Sequence, residues 1–354
     1  MNAFLHGRGN ARRADLLIFA LLLVLFASVP AWADQGFVFL AGVALVQIVF
    51  ALSFNTIFGL AGMVSFGHAA YFATGAYAAG ILLRDIPGVS LATILLAGGA
   101  AGAVMAALIG FVALRRASGN YFAILTLALA ELLHIVIAKS DWLGREDGMT
   151  GIVRPSLLGI DLNQGASLYY VLLALAVIFG FGAWLMWHGA FGRMLGAIRQ
   201  DADRMAFLGA NVHLARLAAF TVSGAGAGLA GAMYAPLAQL LTPEVAHWTY
   251  SALPILFCLL GGTAYFWGPV LGVMLFLGLE HATRNIVGLS EVVIGTTLLV
   301  VVLAFPGGIA GGIVHLLRRR ALPTPLPTRV APEAAGSAAA GNATPLTHRA
   351  EADA

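Results

Sequence analysis

Apolar residues along this chain come in long blocks rather than in stripes. Leu16–Trp32 is one block. Phe37 to Leu83 is a second, with no Asp, Glu, Lys or Arg, a single histidine at His68, and Asn55 as its main polar interruption. A helix that is apolar all round has no face to turn toward water, so its surroundings must be other helices or lipid. About 20 such residues cross roughly 30 Å of hydrocarbon, at about 1.5 Å per residue. The second block is too long for one crossing and divides near Gly59–Gly62 into two. Further blocks are Leu91–Leu114, Tyr121–Ala138, Leu168–Trp187, Leu217–Leu241, Tyr250–Leu260, Pro269–Leu279 and Val292–Leu317, the eighth and ninth of the series being short. The pattern predicts an all-α, polytopic transmembrane bundle of about ten spans over residues 16–317.

The loops between these blocks carry an uneven load of arginine. With residues 1–15 inside, one side collects Arg8, Arg12, Arg13, Arg115, Arg116, Arg193, Arg199, Arg204, Arg216 and Arg318 to Arg320. The other receives only Arg84, Lys139, Arg145, Arg154 and Arg284. Positive charge concentrates in cytoplasmic loops, so both termini are expected to be cytoplasmic. Basic residues, a Leu-rich run to Val29 and Ala31-Trp32-Ala33 also resemble a cleavable signal peptide. A retained first helix is the preferred reading, and the remaining topology is the same either way. Residues 318–354 are rich in Pro, Ala and Thr without an apolar run, which predicts a disordered cytoplasmic tail.

Composition agrees with lipid as the main solvent: 60% of residues are hydrophobic and 10% charged, against roughly 25% charged in soluble domains. The net charge of +3 is spread between apolar blocks rather than gathered into a patch, which gives no footing for nucleic acid. Cys258 is the one cysteine, so a disulfide framework and a cysteine metal site are excluded. No G-x-x-x-x-G-K-[ST] sequence occurs, and Lys139 is the one lysine. The chain is therefore not its own P-loop ATPase; it is expected to be no enzyme and to hold no cofactor or metal.

Polar groups inside the blocks are the candidates for function. Gly59, Gly62, Gly67, Gly75 and Gly80 fit either a broken helix lining a path or close helix packing. Packing is the stronger reading for most of them, as for Gly224-x-x-x-Gly228 and Gly268-x-x-x-Gly272. Asn55, Ser65 and His68 shift the balance locally, because polar side chains in a span seek partners or water. Asn55, Gly62, Ser65, Gly67 and His68 are thus taken as substrate-path candidates, with Glu131 a sixth. Glu131 and His134 share one face of a helix, and a carboxylate in a span must pair, protonate or face water. A structural hydrogen bond explains the pair as well as transport does, and two ligands alone make no metal site.

The longest inner loop, 188–216, reads HGAFGRMLGAIRQDADRMAFLGANVHLAR. Gly196–Leu208 is expected to form one short amphipathic helix ended by Gly209. Periodicity leaves open whether it lies on the membrane, is simply solvated, or docks on a partner through Met205, Ala206 and Leu208 with Arg199 and Arg204 at the rim. In the outer loop, Asp141, Arg145, Glu146, Asp147 and Arg154 fit either a docking surface or a solvated turn.

Several stretches resemble the branched-chain amino acid permeases of ABC importers: Asn55–Gly80, Gly119–Glu131, Phe191–Phe220, Gly228–Leu237, Gly261–Gly272 and Phe305–Gly311, in family order. The loop at 188–216 resembles the coupling segment of such permeases, although it lacks a glutamate that many of them have, and Asp201 and Asp203 supply the acidic character. The resemblance implies a subunit of an importer in the bacterial inner membrane, paired with a second homologous permease. It also implies two cytoplasmic ATPases, which bind ATP and magnesium, and a periplasmic substrate-binding protein. It assigns ATPase coupling to Arg199, Asp203, Arg204, Ala206 and Gly209. Rival readings change the cargo to urea, short amides or other amino acids, or the class to an ion-coupled secondary transporter.

Overall fold

The computed structural model describes residues 18–116, 119–157, 160–162, 166–283, 289–304 and 307–313. The expectations for the N-terminal segment 1–15, for the tail 318–354 and for the basic run Arg318 to Arg320 lie outside these residues. The fold is a helical bundle: α1 (Ile18–Trp32), α2 (Gln35–Asn55), α3 (His68–Asp85), α4 (Leu91–Arg116), α5 (Asn120–Lys139), α6 (Ser167–His188), α7 (Ala190–Gln200), α8 (Ala202–Phe207), α9 (Val212–Ala238), α10 (Trp248–Gly261), α11 (Gly268–Thr283), α12 (Leu289–Ala304) and a last short helix α13 over 308–313. One two-residue hairpin, β1 (Ser156–Leu157) with β2 (Ile160–Asp161), sits in the α5–α6 loop.

By length and composition, α2 with its continuation to Leu60, α4, α5, α6 and α9 can each cross a membrane. The other apolar helices are shorter or less apolar. What surrounds each helix divides them further. In α2 and α9 most of the apolar window is buried inside the protein, whereas in α4, α5 and α6 only about a third is. Leu96, Val104 and Leu108 on α4, Ile124 and Leu132 on α5, and Ile178 and Leu185 on α6 are exposed. Such rows of exposed aliphatic side chains are stable against lipid and costly against water. The chain is a multi-pass membrane protein.

The centre is held by missing side chains. A methyl group on Gly228 of α9 would overlap the Gly98 carbonyl of α4, one on Gly75 of α3 would overlap the Gly228 carbonyl, and one on Gly231 would overlap the Phe72 carbonyl. Gly272 meets the Phe257 carbonyl in the same way, joining α11 to α10. In lipid, helices associate by packing rather than by fleeing water, so backbone contact through small residues is their main source of cohesion. The packing reading of both G-x-x-x-G pairs accounts for these contacts.

Two expected elements differ. The expected single helix over Gly196–Leu208 is two helices, because Asp201 leaves helical geometry and accepts the Arg204 N–H at 2.9 Å as the N-cap of α8. The expected unbroken span Val292–Leu317 is interrupted at Gly307, a turn, and at Gly308, which has φ +68° and packs against Gly262. The α5–α6 loop and the segment 189–211 lie at opposite ends of the bundle, separated by the 22 residues of α6, about 33 Å of helix.

Candidate functional site

Between α2 and α3 the main chain leaves the α-helix. Residues 56–60 form a π-turn, Gly62 takes φ +70°, and Gly62–Gly67 runs without helical hydrogen bonds until His68 opens α3. The freed backbone groups are met by side chains from other helices. Phe66 N–H donates to Thr126 Oγ1 of α5 at 3.2 Å, and Ala69 N–H donates to Ser251 Oγ of α10 at 2.9 Å. Ser65 receives the Gly67 N–H at 3.3 Å. Gly67 is there because a side chain would strike the Thr126 carbonyl. Non-helical backbone at membrane depth is tolerated only when buried in protein or lining a cavity; here Ser65 and Gly67 are buried, and Gly62 and Val64 line a cavity.

His68 is fully buried in an aromatic box. Its ring stacks on Phe50 with centroids 5.3 Å apart and meets Phe54 and Tyr71 edge-on. Its Nε2 lies 3.2 Å from Ser53 Oγ. The single Ser53 hydroxyl proton goes to the Phe50 carbonyl at 2.7 Å, so Ser53 accepts at His68 and the imidazole carries its proton on Nε2. That leaves the Nδ1 lone pair unmatched. Both ends of the Asn55 amide and the Tyr71 hydroxyl are likewise buried with no partner among the described residues. Each such group costs about 1–3 kcal/mol. Together the unmatched atoms comprise a ring nitrogen of His68, both ends of the Asn55 amide and the Tyr71 hydroxyl.

The segment 189–211 is attached to this break. Arg199 of α7 donates from its guanidinium to the Gly59 carbonyl, and its stem lies over Gly62, where an added methyl would come within 2.8 Å of Cγ. Gly59 in turn faces the Asn55 side chain and the Thr263 carbonyl. At the other end of the segment, α8 presents Phe207 and Leu208 to the outside, 92% and 75% exposed. Gly209 follows with φ +88°, a left-handed conformation that ends the helix. Asp203, Arg204 and Ala206 are exposed around this tip, and Arg204 pairs with Asp201 at 3.3 Å.

Two cavities lie at opposite ends. One, of about 530 Å³, is lined by Gly62 and Val64 of the break, by Asn120 and Phe122 of α5, and by His213 and Arg216 of α9. The other, of about 460 Å³, is lined by Gln35, Gly42, Arg154, Tyr169 and Leu237. Of the six path candidates, Gly62 alone lines either cavity. Asn55, Ser65, Gly67 and His68 sit together in the closed core. Glu131 stands apart, five residues beyond Thr126 along α5, with its carboxylate 3.9 Å from His247.

The sequence shows the break and the loop as separate features, each with its glycines, but not four groups that complete them. Ser53, Thr126 and Ser251 read as ordinary small polar residues in spans, and Phe207 as one apolar residue among several. Their role comes from the helices that face them. An aromatic just before a helix-ending glycine in a charged loop was the one available signal, for Phe207.

Residues 36–302 match the family described as the permease component of branched-chain amino acid transport systems. The chain is 27% identical over 325 residues to the high-affinity branched-chain amino acid transport system permease protein LivM of Escherichia coli K12, covering 85% of this chain and 76% of that protein. The LivM protein of Salmonella typhimurium LT2 is 26% identical with the same coverage. No solved structure matches the chain significantly.

Proposed function

Because the chain belongs to the family of permease components of branched-chain amino acid transport systems, we propose that it moves leucine, isoleucine and valine into the cytoplasm as one subunit of an ATP-driven importer. Its partners in this reading are a second, homologous permease, two cytoplasmic ATPase subunits that bind ATP and magnesium, and a periplasmic substrate-binding protein, all at the bacterial inner membrane. This chain supplies path and lever and holds no cofactor.

The observation that carries the reading is the span of the 189–211 segment. Its exposed tip, Phe207 and Leu208 beside Arg204 and Asp203, has the character of a docking anchor: a large apolar side chain ringed by charge. Its other end, Arg199, grips the carbonyl and the glycine of the broken helix. An ATPase that moved α8 would move α7, and α7 would move the break. The unmatched groups around His68 suit a zwitterion: the His68 Nδ1 lone pair and Asn55 Oδ1 toward an ammonium, Asn55 Nδ2 and the Tyr71 hydroxyl toward a carboxylate. Phe50 and Phe54 would then face the aliphatic side chain. In the closed core these groups wait for the switch between outward-open and inward-open states. The cavity at Gly62 and Arg216 lies on the inner side of this barrier and serves as the exit.

Initial-rate uptake of labelled leucine in cells with and without this gene tests the proposal, with isoleucine, valine and urea as competitors. Loss of an uptake that isoleucine and valine suppress supports it. Unchanged leucine uptake together with lost urea or amide uptake would replace the cargo and leave the lever.

A further inference from the structure

Away from the break, three potential ligands converge at the end of the bundle that carries the α5–α6 loop. Glu131 and His134 come from one face of α5, and His247 comes from the segment that joins α9 to α10. One ligand atom from each lies within 4.8 Å of the other two. Glu131 Oε1 and His247 Nε2 are 3.9 Å apart, and the two imidazoles pack edge to face with centroids at 5.0 Å. Glu131 and His247 keep about a third of their side-chain surface exposed, so the cluster is not sealed inside the bundle.

The surroundings fix His134 as a ligand, and His247 needs only a tautomer exchange to join it. His134 Nδ1 lies 3.0 Å from the Pro243 carbonyl. A carbonyl only accepts, so Nδ1 carries the proton and the lone pair stands on Nε2. Metal-binding histidines are commonly fixed in this way, by donating the second ring N–H to a backbone carbonyl. Thr249 holds the His247 ring from behind, its hydroxyl 2.8 Å from Nδ1. With no ion present, the Thr249 N–H also approaches that nitrogen, at 3.4 Å, and Nε2 then turns its proton to Glu131. An ion takes the place of that proton, and the Thr249 hydroxyl becomes the acceptor for Nδ1. The second carboxylate oxygen, Glu131 Oε2, is buried without a hydrogen-bond partner among the described residues. Ligands at about 2.1 Å around a tetrahedral ion lie roughly 3.4 Å from each other. Rotamer adjustments of about 1 Å would bring the three onto one ion, leaving a fourth position for water.

The geometry points to a binding site for a divalent transition-metal ion of the zinc class, held by Glu131, His134 and His247. Two imidazoles and one carboxylate are a donor set that suits zinc, nickel and copper rather than calcium or magnesium. The ion would tie α5 to the turn Pro243–Ala246 and to the start of α10, adding to the long Glu131–His247 approach, the His134–Pro243 bond and the packing of the two imidazoles. The inference is independent of the cargo and of the coupling reading.

The test is zinc and cobalt binding to the full-length chain in lipid nanodiscs, purified without a histidine tag. The expected result is about one zinc per chain, a visible Co²⁺ ligand-field band that zinc abolishes, and a metal-dependent rise in melting temperature. His247→Ala and His134→Ala should each weaken zinc by at least about tenfold, and Glu131→Gln likewise, while the metal-free melting temperature of at least one variant stays at the wild-type value. His281→Ala, at another helix end, should bind as the wild type does. Absence of stoichiometric binding would overturn the proposal and leave a direct Glu131–His247 contact. Binding that survives the His134→Ala, His247→Ala double substitution would overturn it too.

Discussion

The seam where α3, α4 and α9 meet and the break between α2 and α3 are neighbours joined through α3, yet they are held by different means. At the seam, glycines bring backbones together until a single methyl group has no room, and the contact is apolar and closed. At the break, the backbone is irregular, its N–H groups are borrowed by Thr126 and Ser251, and several side-chain polar atoms stay unmatched. A packed seam resists deformation, since interiors are close to crystalline density. A region with unmet hydrogen bonds has alternatives of similar free energy. The first is suited to be a frame and the second less so, and Arg199 connects the break to the segment 189–211.

The contrast can be broken most severely at Gly228. A leucine there would drive a side chain into α4, with an overpacking cost of about 3 kcal/mol or more, and no monodisperse protein should be recovered from membranes by size exclusion. Wild-type yield would show that the seam is not a frame. A next effect is expected at the tip, where Phe207→Asp should remove about 2 kcal/mol or more of ATPase binding. Co-purification with the ATPase subunits measures it, with folding unaffected because Phe207 is exposed.

Gly209→Val should be milder, since nothing crowds the position and only its left-handed backbone objects, at about 1–2 kcal/mol. Uptake should fall several-fold for valine and recover with Gly209→Asn. The smallest change in stability is expected at Asn55→Leu. Removing an unmatched buried amide should leave melting unchanged or slightly raised while uptake falls. A clear loss of stability would mean that the break is as fully satisfied as the seam.

Much of this was legible in the amino-acid sequence, for one reason: lipid demands long apolar helices, and any polar residue inside them stands out. The break near Gly59–Gly62 and the glycine packing at Gly224 and Gly228 follow from that rule, and the helix end at Gly209 from a glycine closing an amphipathic run. The cap at Asp201 was readable as well, an aspartate opening a short helix, but amphipathic periodicity across Gly196–Leu208 concealed it. The turn at Gly307 and Gly308 carried its own signal in two adjacent glycines set against a strongly apolar run. Partners contributed by distant segments left no trace. Nothing local to Arg199 announces Gly59, and nothing in Glu131-x-x-His134 announces His247, because those meetings are set by how whole helices pack.

The central claim is that Arg199 transmits motion from the ATPase-facing tip to the broken helix. It is tested most directly by measuring leucine transported per ATP hydrolysed in proteoliposomes containing the complete complex with Arg199→Ala. The account predicts an assembled complex that still hydrolyses ATP while leucine moved per ATP drops at least about tenfold. An unchanged ratio of leucine to ATP would contradict it.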